Sequence, residues 1–337
     1  MLKNRLSLTS LGPFLSLLSL LSPVSLASLA AVHTAAAHPG VVQHAPSPLQ
    51  PDARLNDAWT AKAAQALMAR TDANSLAAAA ALRGTDPELA ARASELAPQS
   101  PAIGWLRLQL CARSAGCDMR DTATVMRWVD PDNAAAWLPT LAAARRDGDS
   151  TEVDRVLADM ARAARFDLYW NRIVVLLSDA LDTVRRELPG SYAASDSARY
   201  AKATGLAAGE IIPPFAPLAD ACRESISFPQ RRALCLELSK TMQRSDTIAV
   251  QFAGFSIERR LLAPDGKEAR GIAERKRALE WRAAGAAKLD APLLPWTKNA
   301  RARERLAAMR TTAREEDVCK VMLRAHKMPL DPPEVHP

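Results

Sequence analysis

Cys319 and His326 have the residue types that nucleophilic catalysis uses, and they lie seven apart, two turns along one helical face. At the helical rise their Cα atoms would stand about 10 Å apart, long for a base that must reach a thiol. The spacing therefore predicts a structural cysteine and a surface histidine. Paired carboxylates are the next chemistry to consider, since they can do acid–base or glycosidic work. Asp179 and Asp182 are one helical turn apart, while Asp147, Asp149, Glu152 and Asp154 form a second group whose spacing is not that of a calcium loop. The second group reads as a turn and a helix cap. No G-x-S-x-G, S-x-x-K, H-E-x-x-H, G-x-G-x-x-G or G-x-x-x-x-G-K occurs in the chain. The expectation is a protein that leans away from enzymatic activity, with no catalytic residue, cofactor or metal assigned. A hydrolase using an unpaired acid such as Asp179 is the alternative.

The remaining reactive side chains are cysteines, and the amino terminus sets their context. Met1 to Arg5 carries two cations, Leu6 to Val32 carries no charge, and small residues precede two possible cuts, after Ala30 and after Ala37. This is the layout of a secretory signal. Residues 1–37 are expected to be removed, leaving no membrane span and a protein that is periplasmic or secreted. Residues 38–51, with four prolines and no charge, read as a disordered linker, in which His38 and His44 lack the scaffold that a metal site needs. Outside the cytosol the cysteines become disulfide candidates: Cys111 with Cys117, and Cys222 with Cys235, the connectivity remaining open. In an unbroken helix residues six apart rise about 9 Å, beyond the roughly 7 Å that a disulfide spans, so the chain must turn between them. Ser114-Ala115-Gly116 and Ser227-Phe228-Pro229 supply such turns. Loop-closure entropy gives about 2.4 kcal/mol for the shorter bridge and about 3 kcal/mol for the longer.

Charge offers a third chemistry. Residues 258–330 hold 18 Lys/Arg against 10 Asp/Glu, so the net charge of +7 is essentially carboxyl-terminal. If Arg270, Arg275, Lys276, Arg277, Arg301 and Arg305 share a face, they could bind an acidic envelope polymer. Glu274, Glu280, Glu304, Glu315 and Glu316 are interleaved at helical spacings, which favours an ordinary solvated face. Export argues against nucleic acid as a ligand.

The elements that would position these groups are helices. Alanine and leucine heavily outnumber β-branched residues, so propensity favours helix over strand in almost any window. Asp86-Pro87 is a cap before proline at the first helical position, and Asp149 with Glu152 has capping-box spacing after Gly148. Helices are predicted near 53–70, 74–83, 87–97, 101–113, 119–129, 133–146, 151–165 and 168–188. After breaks at Pro189-Gly190-Ser191 and Ile211-Ile212-Pro213-Pro214 they resume near 215–224, 230–244, 246–262, 266–288 and 297–326. The predicted class is all-α, built of antiparallel helix hairpins.

Trp105, Trp137 and Trp170 are separated by 32 and 33 residues, and Pro98 and Pro131 repeat that period ahead of their tryptophans. The segment VDPDNAAAW at 129–137 resembles the junction of tetratricopeptide repeats. Arg146-Asp147-Gly148-Asp149 falls where that family turns between its two helices, and Val153, Leu157 and Met160 take the small or apolar positions of its second helix. The resemblance covers about residues 75 to 170. It departs from the family at Thr140, where leucine is preferred, in the missing consensus tyrosine, and in a Trp105 junction one residue longer. It implies a stacked α-solenoid whose concave face binds another protein or peptide, because no hairpin buries its apolar stripe alone. The expected organisation is a repeat region at 52–188, a basic helical region at 189–328 that is an extension or a second domain, and a Pro-rich tail at 329–337.

Overall fold

Short polar side chains open four of the amino-terminal helices by accepting a free backbone N–H of the first turn. Asp72 accepts from Ser75 N at 2.9 Å, Asp86 from Leu89 N at 3.0 Å, Asp118 from Asp121 N at 2.9 Å and Asp149 from Glu152 N at 2.9 Å. The computed structural model describes residues 51–84, 86–188, 195–225, 228–290 and 294–333, with side chains from residue 58 onward. The expected signal, its two cuts, the linker up to residue 50, the Pro189-Gly190-Ser191 break and residues 334–337 lie outside the described residues.

Among the described residues the chain forms fifteen α-helices, and its pairing of extended backbone is one isolated bridge between Asn133 and Arg165. The helices are α1 (Pro51–Met68), α2 (Ala73–Arg83), α3 (Pro87–Leu96), α4 (Pro101–Cys111) and α5 (Met119–Val129). A 3-10 turn (Ala134–Trp137) leads into α6 (Leu138–Arg146), followed by α7 (Ser150–Arg162) and α8 (Trp170–Glu187). Then come α9 (Asp196–Glu210), α10 (Ala216–Glu224), α11 (Pro229–Met242) and α12 (Ile248–Leu261). The last three are α13 (Lys267–Lys288), α14 (Pro295–Thr311) and α15 (Glu315–Ala325). No helix among the described residues is long and apolar enough to cross a membrane.

Two elements depart from the sequence expectation. Helix α9 lies between the breaks expected at 189–191 and 211–214, where no helix is predicted and Gly205 and Gly209 lower helix propensity; Ser195 caps it, accepting from Ala198 N at 3.1 Å, and α8 and α14 cover its apolar side. The single helix expected over 297–326 is two, because the backbone turns extended at Thr312. There the Thr312 carbonyl accepts from Asn171 Nδ2 at 3.0 Å, and Glu315 N donates to Asp246 O at 2.7 Å. Tertiary partners take the groups that a continuous helix would have used.

Consecutive helices pack through α1 to α7, but α8 then returns across α1, α2 and α4. After it, α9 lies on α2 and α4, α10 on α6, and α11 on α7. The carboxyl-terminal half thus covers a face of the amino-terminal one. This explains why α2 carries the run Leu76 to Ala81, buried on all sides, and why α4 buries nine of its eleven residues. Small side chains let several neighbours approach one rod. At the crossing of α11 and α12, a Cβ on Gly254 would come within 2.8 Å of Met242 Cβ and of the Ser239 carbonyl, so only glycine permits the approach.

Candidate functional site

The strongest concentration of polar chemistry lies where three junctions meet: the links into α8, into α12 and into α15. Asn133 begins it, and its amide holds the next junction on both sides. Oδ1 accepts from Asp167 N at 2.9 Å, while Nδ2 donates to Asp167 O at 2.9 Å and to Tyr169 Oη at 2.9 Å. Tyr169 occupies the N-cap position of α8 with φ of 60°, a left-handed conformation unfavourable for an aromatic residue, and its side chain makes no cap. Asp246 caps the helix from across the chain instead, its Oδ1 accepting from Leu168 N at 2.9 Å and its Oδ2 from Trp170 N at 3.2 Å. Tyr169 is held in place through its hydroxyl, which donates to Asp130, itself paired with Arg165.

Glu315 repeats the device one junction on. Thr247, the N-cap residue of α12, makes no side-chain cap, and Glu315 Oε2 accepts from Ile248 N at 2.8 Å. Burial dominates the electrostatics of these acids. It pushes the carboxyl of Asp246 up to about 7, with the neighbouring Asp167 adding to it, and that of Glu315 up to about 7. Burial likewise lifts Asp130 to about 6 and raises Asp167. Raised acids are candidates for catalysis only where substrate reaches them. Here both oxygens of Asp246 and Oε2 of Glu315 accept from backbone N–H groups, and no group of three or more His, Cys, Asp or Glu among the described residues is placed to hold a metal ion. The hub ties the three junctions together through these bonds.

Access is found instead above the outward stripe of α8. A cleft of about 530 Å³ has Arg172, Leu176, Asp179 and Thr183 along that stripe. Asn74 and Ser75 of α2 and Ser100 at the start of α4 form one wall, and Met309 and Arg310 of α14 the other. Ser100, the N-cap residue of α4, makes no side-chain cap. Three arginines line it. Arg70 pairs with Glu187 and Arg310 with Asp179, while Arg172 has no hydrogen-bond or ion-pair partner among the described residues. Asp72 is committed to its cap: burial works to raise its carboxyl, but the bonds from Ser75 outweigh this and hold it below the usual range.

The residues singled out in the sequence are placed as follows. Cys111 and Cys117, and Cys222 and Cys235, bring their sulfurs to bonding distance with Cα separations of 5.4 and 5.6 Å, each pair clipping the corner between two helices. Cys319 is buried, and His326 stands apart from it, facing Arg301 at 3.0 Å and Glu304 at 3.0 Å. Asp149 caps α7 as expected, but Glu152 turns to Arg155 rather than closing the box. Gly148 makes the turn before it at φ of 70°.

The three tryptophans have different surroundings. Trp105 is fully buried and donates to Ile211 O at 3.0 Å, Trp137 is half-buried with the Arg127 guanidinium 4.6 Å from its ring centroid, and Trp170 opens α8. Pro98 and Pro131 sit exposed in the turns before α4 and before the 3-10 turn.

The six basic residues do not make one free face. Arg305 is buried, bonded to Ala286 O at 2.5 Å and Asp290 at 2.7 Å, and the Arg301 side chain is only 14% exposed against Glu304. Arg275 faces Glu258 at 3.6 Å, Lys276 pairs with Glu280 at 3.1 Å, and Arg270 donates to Asp265 O at 2.8 Å, leaving Arg277 among the exposed ones. Carboxylates and carbonyls have taken up five of the six.

The roles of Asn133, Asp246 and Glu315 at these junctions are not legible in the sequence, because backbone partners 34, 78 and 67 residues away leave no local signature. No protein-family model, curated protein or solved structure matches this chain.

Proposed function

We propose that this is an exported, non-enzymatic protein built of tetratricopeptide-like helix hairpins, acting as an interaction scaffold in the cell envelope. The segment it holds is received in the cleft above α8 and not on a concave inner face. The observation that supports the cleft over an inner groove is the packing of α8 to α11 on α2, α4, α6 and α7. Compatible with export are the uncharged, positively led amino terminus and the two cysteine pairs at bonding distance.

The cleft suits a peptide segment bearing carboxylates. Arg172 acts on Asp130 and Asp167 only through space, Arg70 and Arg310 can exchange exposed partners for a ligand's, and Val175, Leu176, Ala180 and Met309 offer apolar contact between the charges. An acidic polymer held by the basic carboxyl-terminal helices is less favoured, because Arg305 and Arg301 are committed within the fold. A hydrolase using Asp179 would need that acid free, and it is paired with Arg310.

The test is fluorescence anisotropy with a labelled acidic dodecapeptide against the wild type and Arg172→Ala. A charged hydrogen bond contributes about 1.5–3 kcal/mol, so the substitution is expected to weaken binding by about tenfold or more, with affinity falling as salt rises. Equal binding by both proteins, or none by either, removes the cleft from the proposal.

A further inference from the structure

Beyond α15 the chain continues as Met328-Pro329-Leu330-Asp331-Pro332-Pro333 and lies back across α13. Helix α13 reads this strap group by group. Trp281 Nε1 donates to Pro329 O at 3.0 Å, Arg282 Nε donates to Leu330 O at 3.2 Å, and Arg282 Nη2 pairs with Asp331 Oδ1 at 2.9 Å. Arg282 is itself fixed from below by Glu316 Oε1 at 2.8 Å, in a pair whose side chains are 18% and 10% exposed. Pro332 and Pro333 then border a recess of about 330 Å³ with Trp281, Ala284 and Arg277. An aromatic ring, donors to successive carbonyls, and prolines that are already extended before they bind are the means by which grooves recognise proline-rich segments.

We propose that this face of α13 is a receptor for an extended segment of the form Pro-Leu-acid-Pro carried by a partner protein, and that the chain's own tail occupies it in cis until displaced. The charge fits that occupant. Asp331 meets Arg282 with its own side chain 74% exposed, so the ion pair lies at the rim where exchange is easy. A covalently attached tail acts at an effective concentration of about millimolar, so a free segment competes only when it binds well or is locally concentrated. The site is separate from the cleft above α8, and neither depends on the other.

The experiment measures binding of a fluorescein-labelled peptide, Met-Pro-Leu-Asp-Pro-Pro, to the full chain and to a chain ending at Met328. The shortened chain keeps the Met328 N to Leu323 O bond that closes α15. Saturable binding to the shortened chain, at least tenfold tighter than to the full chain, is expected. It should be lost on Trp281→Ala or Arg282→Gln, and weakened when the peptide carries Gln in place of Asp, as in the chain's own Pro48-Leu49-Gln50-Pro51. Equal binding to both chains, or none to a shortened chain whose circular dichroism matches the full one, overturns the proposal. Should the shortened chain not fold, the full-length Asp331→Ala variant substitutes for it. With its strap loosened, it must bind the peptide more tightly than the wild type, and equal affinity overturns the proposal as well.

Discussion

Replacing Glu315 by Gln tests the energetics of the junction hub. The side chain keeps its size and can still accept from Ile248 N at 2.8 Å, but it no longer carries a charge into the fold. In the native protein burial lifts this carboxyl from 4.5 to about 7. Folding therefore takes up a proton between those values. The native state is favoured below about pH 4.5, and that advantage is lost as pH rises through 7. At 1.36 kcal/mol for each pH unit, the ionised group costs the fold about 3 kcal/mol at pH 8, an upper figure because the side chain is partly accessible. Glu315→Gln should then melt higher than the wild type at pH 8, by several degrees at about 2–4 °C per kcal/mol, and nearly with it at pH 4.5. Asp246, lifted to about 7 as well, acts in the same direction and remains in both proteins. Melting curves by circular dichroism from pH 4.5 to 8.5 decide the matter. A difference independent of pH, or a variant less stable at pH 8 than the wild type, would refute the account of an ionised acid held at a cost.

Other perturbations address the packing. Removing the Cys222–Cys235 bridge by a double alanine substitution should cost about 3 kcal/mol in chemical denaturation, with reduction of the wild type giving a similar loss. Gly254→Ala drives a methyl group against Met242 and the Ser239 carbonyl, and is expected to lower the urea midpoint by the equivalent of about 1–3 kcal/mol or more.

Local signals made much of this legible beforehand. Asp86 before Pro87, Asp149 ahead of α7 and Gly148 in its turn are short-range devices, and each is found where the spacing put it. The cysteine corners followed from the same arithmetic of rise and reach. Other features depend on residues remote in the chain. Helix α9 forms despite two glycines because neighbours cover it, and the Thr312 break exists because Asn171 and Asp246 take the backbone groups on either side of it. The regular spacing of Trp105, Trp137 and Trp170 does not carry over into like surroundings, since periodicity records a repeating length and not what packs on each unit. The cleft gathers Arg70, Arg172 and Arg310 from segments up to 240 residues apart, which no window of sequence could join.

The cap that Asp246 supplies to α8 ties the order of assembly to the length of the chain. An array held only by adjacent units could mature unit by unit as it is synthesised, and could lose its end without harm to its beginning. Here the start of one helix waits for an acid made 76 residues later, so α8, which packs on α1, α2 and α4, stays uncapped until most of the polypeptide has arrived. Such a molecule is expected to gain and lose its structure as one body, and fragments ending before residue 246 should be prey to proteases.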